Sequence, residues 1–210
     1  MKYLYRIVNA LLAAVMFPVV IFTDLIAFRL GTSLYEQAGL QEAISIKFII
    51  DVISGKETFW HDMIFNNSSG SFSWPAELDI IKGRLIAFVV CFAIALVACL
   101  FIFVFSIFSS KRIPVLVATL TGLVSTIVMI ACFNSAATLI VDGTVNLISA
   151  LSSSWLVGLV GNFVAVEGLM LAGFHNGMLF VFIGLLVWTG AFYLIEIGEP
   201  KEEENKKIKK

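Results

Sequence analysis

The sequence predicts an all-α integral membrane protein: a four-transmembrane-helix bundle with an outer-surface loop region containing short amphipathic helices. Three observations predict it. First, 60% of the 210 residues are hydrophobic and 14% are charged, with a mean hydropathy of +0.98. A soluble domain carries about a quarter charged residues, and so few charges cannot cover so much apolar surface in water. Second, four apolar runs reach the ~20 residues that a helix needs to cross a hydrocarbon core. Third, lysine and arginine are distributed unevenly along the chain.

The runs are residues 7–28, 85–108, 114–141 and 174–197. Backbone groups inside lipid must bond within their own segment, which dictates helix. No alternating ten-residue pattern of a transmembrane barrel is present. The first run follows Lys2 and Arg6, as a signal peptide would, but no small-x-small cleavage pattern follows it, so it reads as an uncleaved anchor. A single membrane domain is expected over 1–198, with a charged cytoplasmic tail at 199–210.

Orientation follows from the basic residues. Lys2 and Arg6 precede the first run, Lys111 and Arg112 sit in the tight link between the second and third, and the tail holds five lysines. From Ile113 to Pro200 there is none. Both termini and the Lys111–Arg112 link are therefore expected in the cytoplasm, in a cell membrane crossed several times. Arg29, Lys82 and Arg84 then lie outside, on a long segment where charge counts for less.

The first outer loop spans 29–84. Its stretch 43–54 places Ile46, Ile49, Ile50 and Ile53 on one helical face and Lys47, Asp51 and Ser54 on another, an amphipathic helix for the membrane surface or the bundle. Phe59, Trp60, Phe65, Phe72 and Trp74 suit the interfacial belt. The Asn66–Gly70 cluster is a turn that contains two overlapping N-x-S triplets. Pro75 reads as a helix start, so the second span is expected to begin outside the bilayer near Ala76. The second outer loop, 142–173, contains an apolar stretch at 145–166 broken by Ser152–Ser154, Gly158, Gly161 and Asn162. An interfacial or re-entrant helix pair is expected there, because a fifth crossing would carry the lysine tail outside.

Candidate functional residues are polar groups in or near apolar runs, where an unpaired charge is costly. Asp24 lies at the outer end of the first run, as an ion or proton site or as a hydrated carboxylate paired with Arg29. Asn134, with Ser135 and Thr138, is placed to bond a neighbouring helix or to line a path. Asn162 belongs to the second loop. Glu167 is the single carboxylate between Asp142 and Glu196. Gly173 and Gly177 form a small-xxx-small step, and Ala93, Ala95 and Ala98 do the same in the second run; both permit close helix packing or self-association.

Other chemistry is thinly represented. Cys91, Cys99 and Cys132 lie in apolar runs without a CxxC spacing. His61 and His175 do not make a zinc ligand set. No P-loop, HExxH or GxSxG occurs, so no catalytic residue, cofactor or metal is expected. A formal charge of −1 offers no basic field to nucleic acid.

The layout resembles four-helix membrane proteins of the claudin and tetraspanin type, with inside termini, a larger first outer loop and a smaller second. The resemblance covers topology alone. The first loop carries Trp60 and Trp74 but none of the paired cysteines of claudins, and the cysteine-rich second loop of tetraspanins has no counterpart, so no family is assigned.

The expected function is non-enzymatic: a polytopic protein acting through protein contacts, such as a structural or accessory subunit of a membrane complex. The alternative is a small oligomeric channel or transporter. A lipid-acting enzyme using His61, Asp62, Glu167 or His175 ranks third, since nothing in the sequence groups those residues. The expected partners are the lipid bilayer and either further copies of the chain or another membrane protein.

Overall fold

The computed structural model describes residues 2–32, 35–56, 78–145 and 164–198. Among the described residues five helices and three strands follow in chain order: α1 (Lys2–Phe22), β1 (Asp24–Thr32), β2 (Tyr35–Ser45), α2 (Ile46–Ile53), α3 (Asp79–Phe108), α4 (Arg112–Val141), β3 (Val164–Leu171) and α5 (Phe174–Gly198). Helices α1, α3, α4 and α5 are long and apolar enough to cross a membrane. The chain is thus a mostly helical protein with the helices of a membrane protein.

The four long helices pack around one apolar core. Ala13, Met16 and Val20 of α1 meet Ala95, Cys99 and Ile102 of α3, Val115, Met129 and Phe133 of α4, and Met178, Phe182 and Leu185 of α5. Outward positions on the same helices are also apolar: Ile7, Leu11, Val89, Val97, Val124, Ile127, Phe180 and Val187 are all exposed. A helix apolar on every side suits lipid rather than water. Close approach is allowed where side chains are small. A Cβ on Gly122 would run into the Phe182 ring, and one on Gly177 into Val19. The Cys99 thiol donates to the Ala13 carbonyl at 3.3 Å, so even this buried group is bonded across two helices.

Helix ends are closed locally. Ser109 N–H bonds the Phe105 carbonyl and Lys111 N–H bonds Ser109 Oγ, which turns the chain sharply between α3 and α4. Pro114 falls in the first turn of α4, where its missing donor costs little. Gly143, at φ +75°, ends α4 in the left-handed conformation while Val145 N–H reaches back to Leu139, an arrangement glycine adopts without steric cost.

Several expectations need correction. The protein is not all-α: β1 pairs antiparallel with β2 on one side and β3 on the other, giving the order β2-β1-β3. Helix α1 ends at Phe22 rather than at residue 28. The Thr23 hydroxyl and N–H both turn back to the Val19 carbonyl, and Asp24 already opposes Ser45 in the ladder. Helix α3 begins at Asp79, six positions before the expected 85; Pro75 and Ala76 lie outside the described residues. The helix pair expected at 145–166 falls mostly outside them too, and its last residues, Val164–Val166, are strand.

The sheet sits over the end of the bundle opposite the first residues of α1 and the last of α5. Leu25 and Leu171 join the main core, and Ala172 N–H bonds the Leu25 carbonyl where the chain enters α5. A second cluster, Leu78, Ile81, Ala136, Ile140 and Val145, lies against Val166 and Leu169 of β3. Helix α2 forms within the expected 43–54, over Ile46–Ile53, while Ala43–Ser45 belong to β2 instead; Ser45 Oγ accepts from Phe48 N–H as an N-cap does.

Candidate functional site

Local chemistry concentrates at the two ends of the bundle. At the sheet end, β1 carries Arg29 and β3 carries Glu167. The β1–β3 register runs Arg29 opposite Gly168 and then Leu30 opposite Val166, so Glu167 is an extra, bulged residue. A bulge re-aims a side chain out of the regular alternation. Here it brings Glu167 Oε2 to 3.6 Å from Arg29 Nε. Both side chains are more than half exposed, at 62% and 51%, so the pair is hydrated and forms no buried charge site.

The sequence candidates are not gathered into one site. Asp24 stands on β1 rather than on the first helix, and the partner expected for it, Arg29, is taken by Glu167. Asn134 lies on α4 and is exposed on the outer side of the bundle. Thr138 donates to the Ser135 carbonyl of its own helix instead of to a neighbour. His175 Nδ1 lies against the Ala172 carbonyl at the start of α5. Of the glycine step, Gly177 makes the close contact and Gly173 has open space around it. Asn162, His61, Asp62 and Ser152–Ser154 lie outside the described residues. Among the described residues no three His, Cys, Asp or Glu side chains group as metal ligands.

At the opposite end two arginines tie helices together. Arg6 donates to the Ser106 carbonyl at 3.0 Å and to the Ile107 carbonyl, the last turn of α3. Arg112 donates to the Phe192 carbonyl and lies over the rings of Tyr5 at 5.5 Å and Phe192 at 5.7 Å. Tyr5 and Phe192 are themselves 5.6 Å apart. The Arg6 guanidinium opposes the negative C-terminal end of α3, and that of Arg112 stacks on aromatic faces.

Sequence reasoning used Arg6 and Arg112 for orientation and overlooked their bonding. It also passed over Asn9, Ser106 and Thr189, which are buried inside the bundle. An asparagine within an apolar run at Asn9 was the available signal.

No family model, curated protein or solved structure matches the chain.

Proposed function

We propose that this is a multi-pass protein of the cell membrane, with both termini cytoplasmic, that acts through protein contacts as a structural or accessory subunit of a membrane complex. The observation that carries the reading is Asn134. It is exposed on the outside of the bundle, seven residues and so about 10 Å before the end of α4 at Val141. An amide facing lipid there is costly and is relieved by a hydrogen bond from another helix. A neighbouring protein, or another copy of the chain, supplies such a helix. The three-stranded sheet supports the reading by offering a shaped outer surface on a packed bundle.

The alternative is a small oligomeric channel or transporter. It is favoured by the same exposed amide, which could line a path between copies. The filled bundle core, with Phe182 against Gly122 and Val19 against Gly177, would leave such a path to the seams between copies.

Purification in mild detergent tests the reading. The expected result is a particle larger than one chain, containing a second protein or several copies, that Asn134→Leu dissociates. A monomer that is unaffected by Asn134→Leu overturns it. Solute flux in liposomes that is lost on Asp24→Ala or Glu167→Ala selects the channel.

A further inference from the structure

Among the described residues, the buried polar side chains without a hydrogen-bond partner include Asn9 on α1, through both its amide oxygen and nitrogen, Ser106 on α3 and Thr189 on α5. Asn9 and Thr189 are wholly buried and Ser106 is 1% exposed. The indole Nε1 of Trp188 is buried without an acceptor as well. By contrast, Thr119 and Thr126, also buried, each bond the carbonyl one turn back in α4.

These groups share one slab of the bundle. Helices α1 and α5 run antiparallel, with Tyr5 against Phe192 and Leu12 near Gly184. Asn9 lies between those two contacts on α1, and Thr189 lies between them on α5. Helices α1 and α3 are also antiparallel, with Arg6 at Ser106 and Ala13 at Cys99. Ser106 therefore stands about one turn inward of Asn9. All fall within about 6 Å along the bundle axis at 1.5 Å per residue. Outward of this slab the apolar core runs from Ala13 and Cys99 through Met16, Phe182 and Phe174, and the buried hydroxyls beside it, Thr119 and Thr126, are bonded within α4.

We infer that Asn9, Ser106 and Thr189 form an internal hydration site in the inner third of the bundle. The chemistry selects the guest. The amide offers donors and an acceptor, and each hydroxyl can do both. None is charged, and the Arg112 guanidinium over Tyr5 at the inner mouth disfavours a cation. Water suits this set, since a buried water bridges roughly two to four polar groups. The site stands apart from the contact reading and holds or falls independently of it.

Radiolytic hydroxyl-radical footprinting of the detergent-solubilised full chain tests the inference. Tyr5, on the same face one turn inward of Asn9 and 1% exposed, is the reporter. Radicals formed from a water held beside it should modify it despite its burial, and Asn9→Leu should reduce that modification to background. Thermal melts give a second readout. Asn9→Leu and Thr189→Val should each lower the melting temperature, and the double variant should lose less than the sum of the two. Absence of Tyr5 modification in the native chain overturns the inference. So does a higher melting temperature in either single variant, which would mark these groups as merely unsatisfied.

Discussion

Arg29 and Glu167 meet at 3.6 Å across the β1–β3 ladder, 138 positions apart in sequence, because a bulge turns Glu167 toward the arginine. The backbone ladder, rather than the ion pair, joins the two outer segments. Exposed pairs contribute about 0.2–1 kcal/mol. A double-mutant cycle with Arg29→Ala and Glu167→Ala, followed by thermal melts, should give a coupling in that range. High salt should remove it. A coupling several times larger would show that the pair is shielded from water.

The glycines of the bundle differ in a way that melts can read. Gly122→Ala pushes a methyl group into the buried Phe182 ring, and Gly177→Ala pushes one into Val19. Overpacking of this kind costs about 1–3 kcal/mol. Gly83, inside α3, has nothing within 4 Å of an added Cβ. Gly83→Ala should therefore raise stability, by about 0.5–1 kcal/mol through helix propensity. Equal effects at all three positions would contradict the packing described.

Helix α2 exposes Ile49, Ile50 and Ile53 at 40%, 56% and 61%, while Asp51 is paired with Lys56 at 3.4 Å. Ile46 is packed against the core. An isoleucine face at the outer end of an apolar bundle is expected to rest in the headgroup region. With Trp introduced by Ile50→Trp or by Lys47→Trp, and the native tryptophans replaced, brominated lipid should quench the first strongly and the second weakly. Equal quenching would place α2 away from the bilayer.

Arg6 and Arg112 should prove more valuable than the Arg29–Glu167 pair. Arg6→Leu removes bonds to the Ser106 and Ile107 carbonyls, and Arg112→Leu removes the bond to Phe192 together with two ring contacts. Hydrogen bonds to charged groups contribute about 1.5–3 kcal/mol each at most. Each variant should melt earlier than Arg29→Ala, and Arg112→Lys should restore Arg112→Leu only in part, because an ammonium lacks the planar fork.

Much of this was legible in the sequence. The spans were, because lipid leaves a helix no alternative, and so was α2, whose isoleucines keep helical spacing. The sheet was not. Leu25, Ile26, Ala27 and Phe28 extend the apolar run of α1 without a break in hydropathy, and only Thr23 and Asp24 mark the change to strand. Pairing Ile26 with Leu171 depends on contacts 145 positions apart, which local patterns do not encode. For the same reason Glu167 was visible as a lone carboxylate while its partner was not. Asn134 was singled out for its place in an apolar run, and the fold adds that it faces outward.

The four crossings with cytoplasmic ends are tested most directly by labelling intact cells with a membrane-impermeant maleimide. In a background with Cys91, Cys99 and Cys132 replaced, Lys56→Cys places a thiol after α2 and Lys111→Cys places one in the α3–α4 turn. The account predicts that Lys56→Cys is labelled in intact cells, and that Lys111→Cys is labelled only after the membrane is opened. Labelling of Lys111→Cys in intact cells, with Lys56→Cys protected, would contradict it.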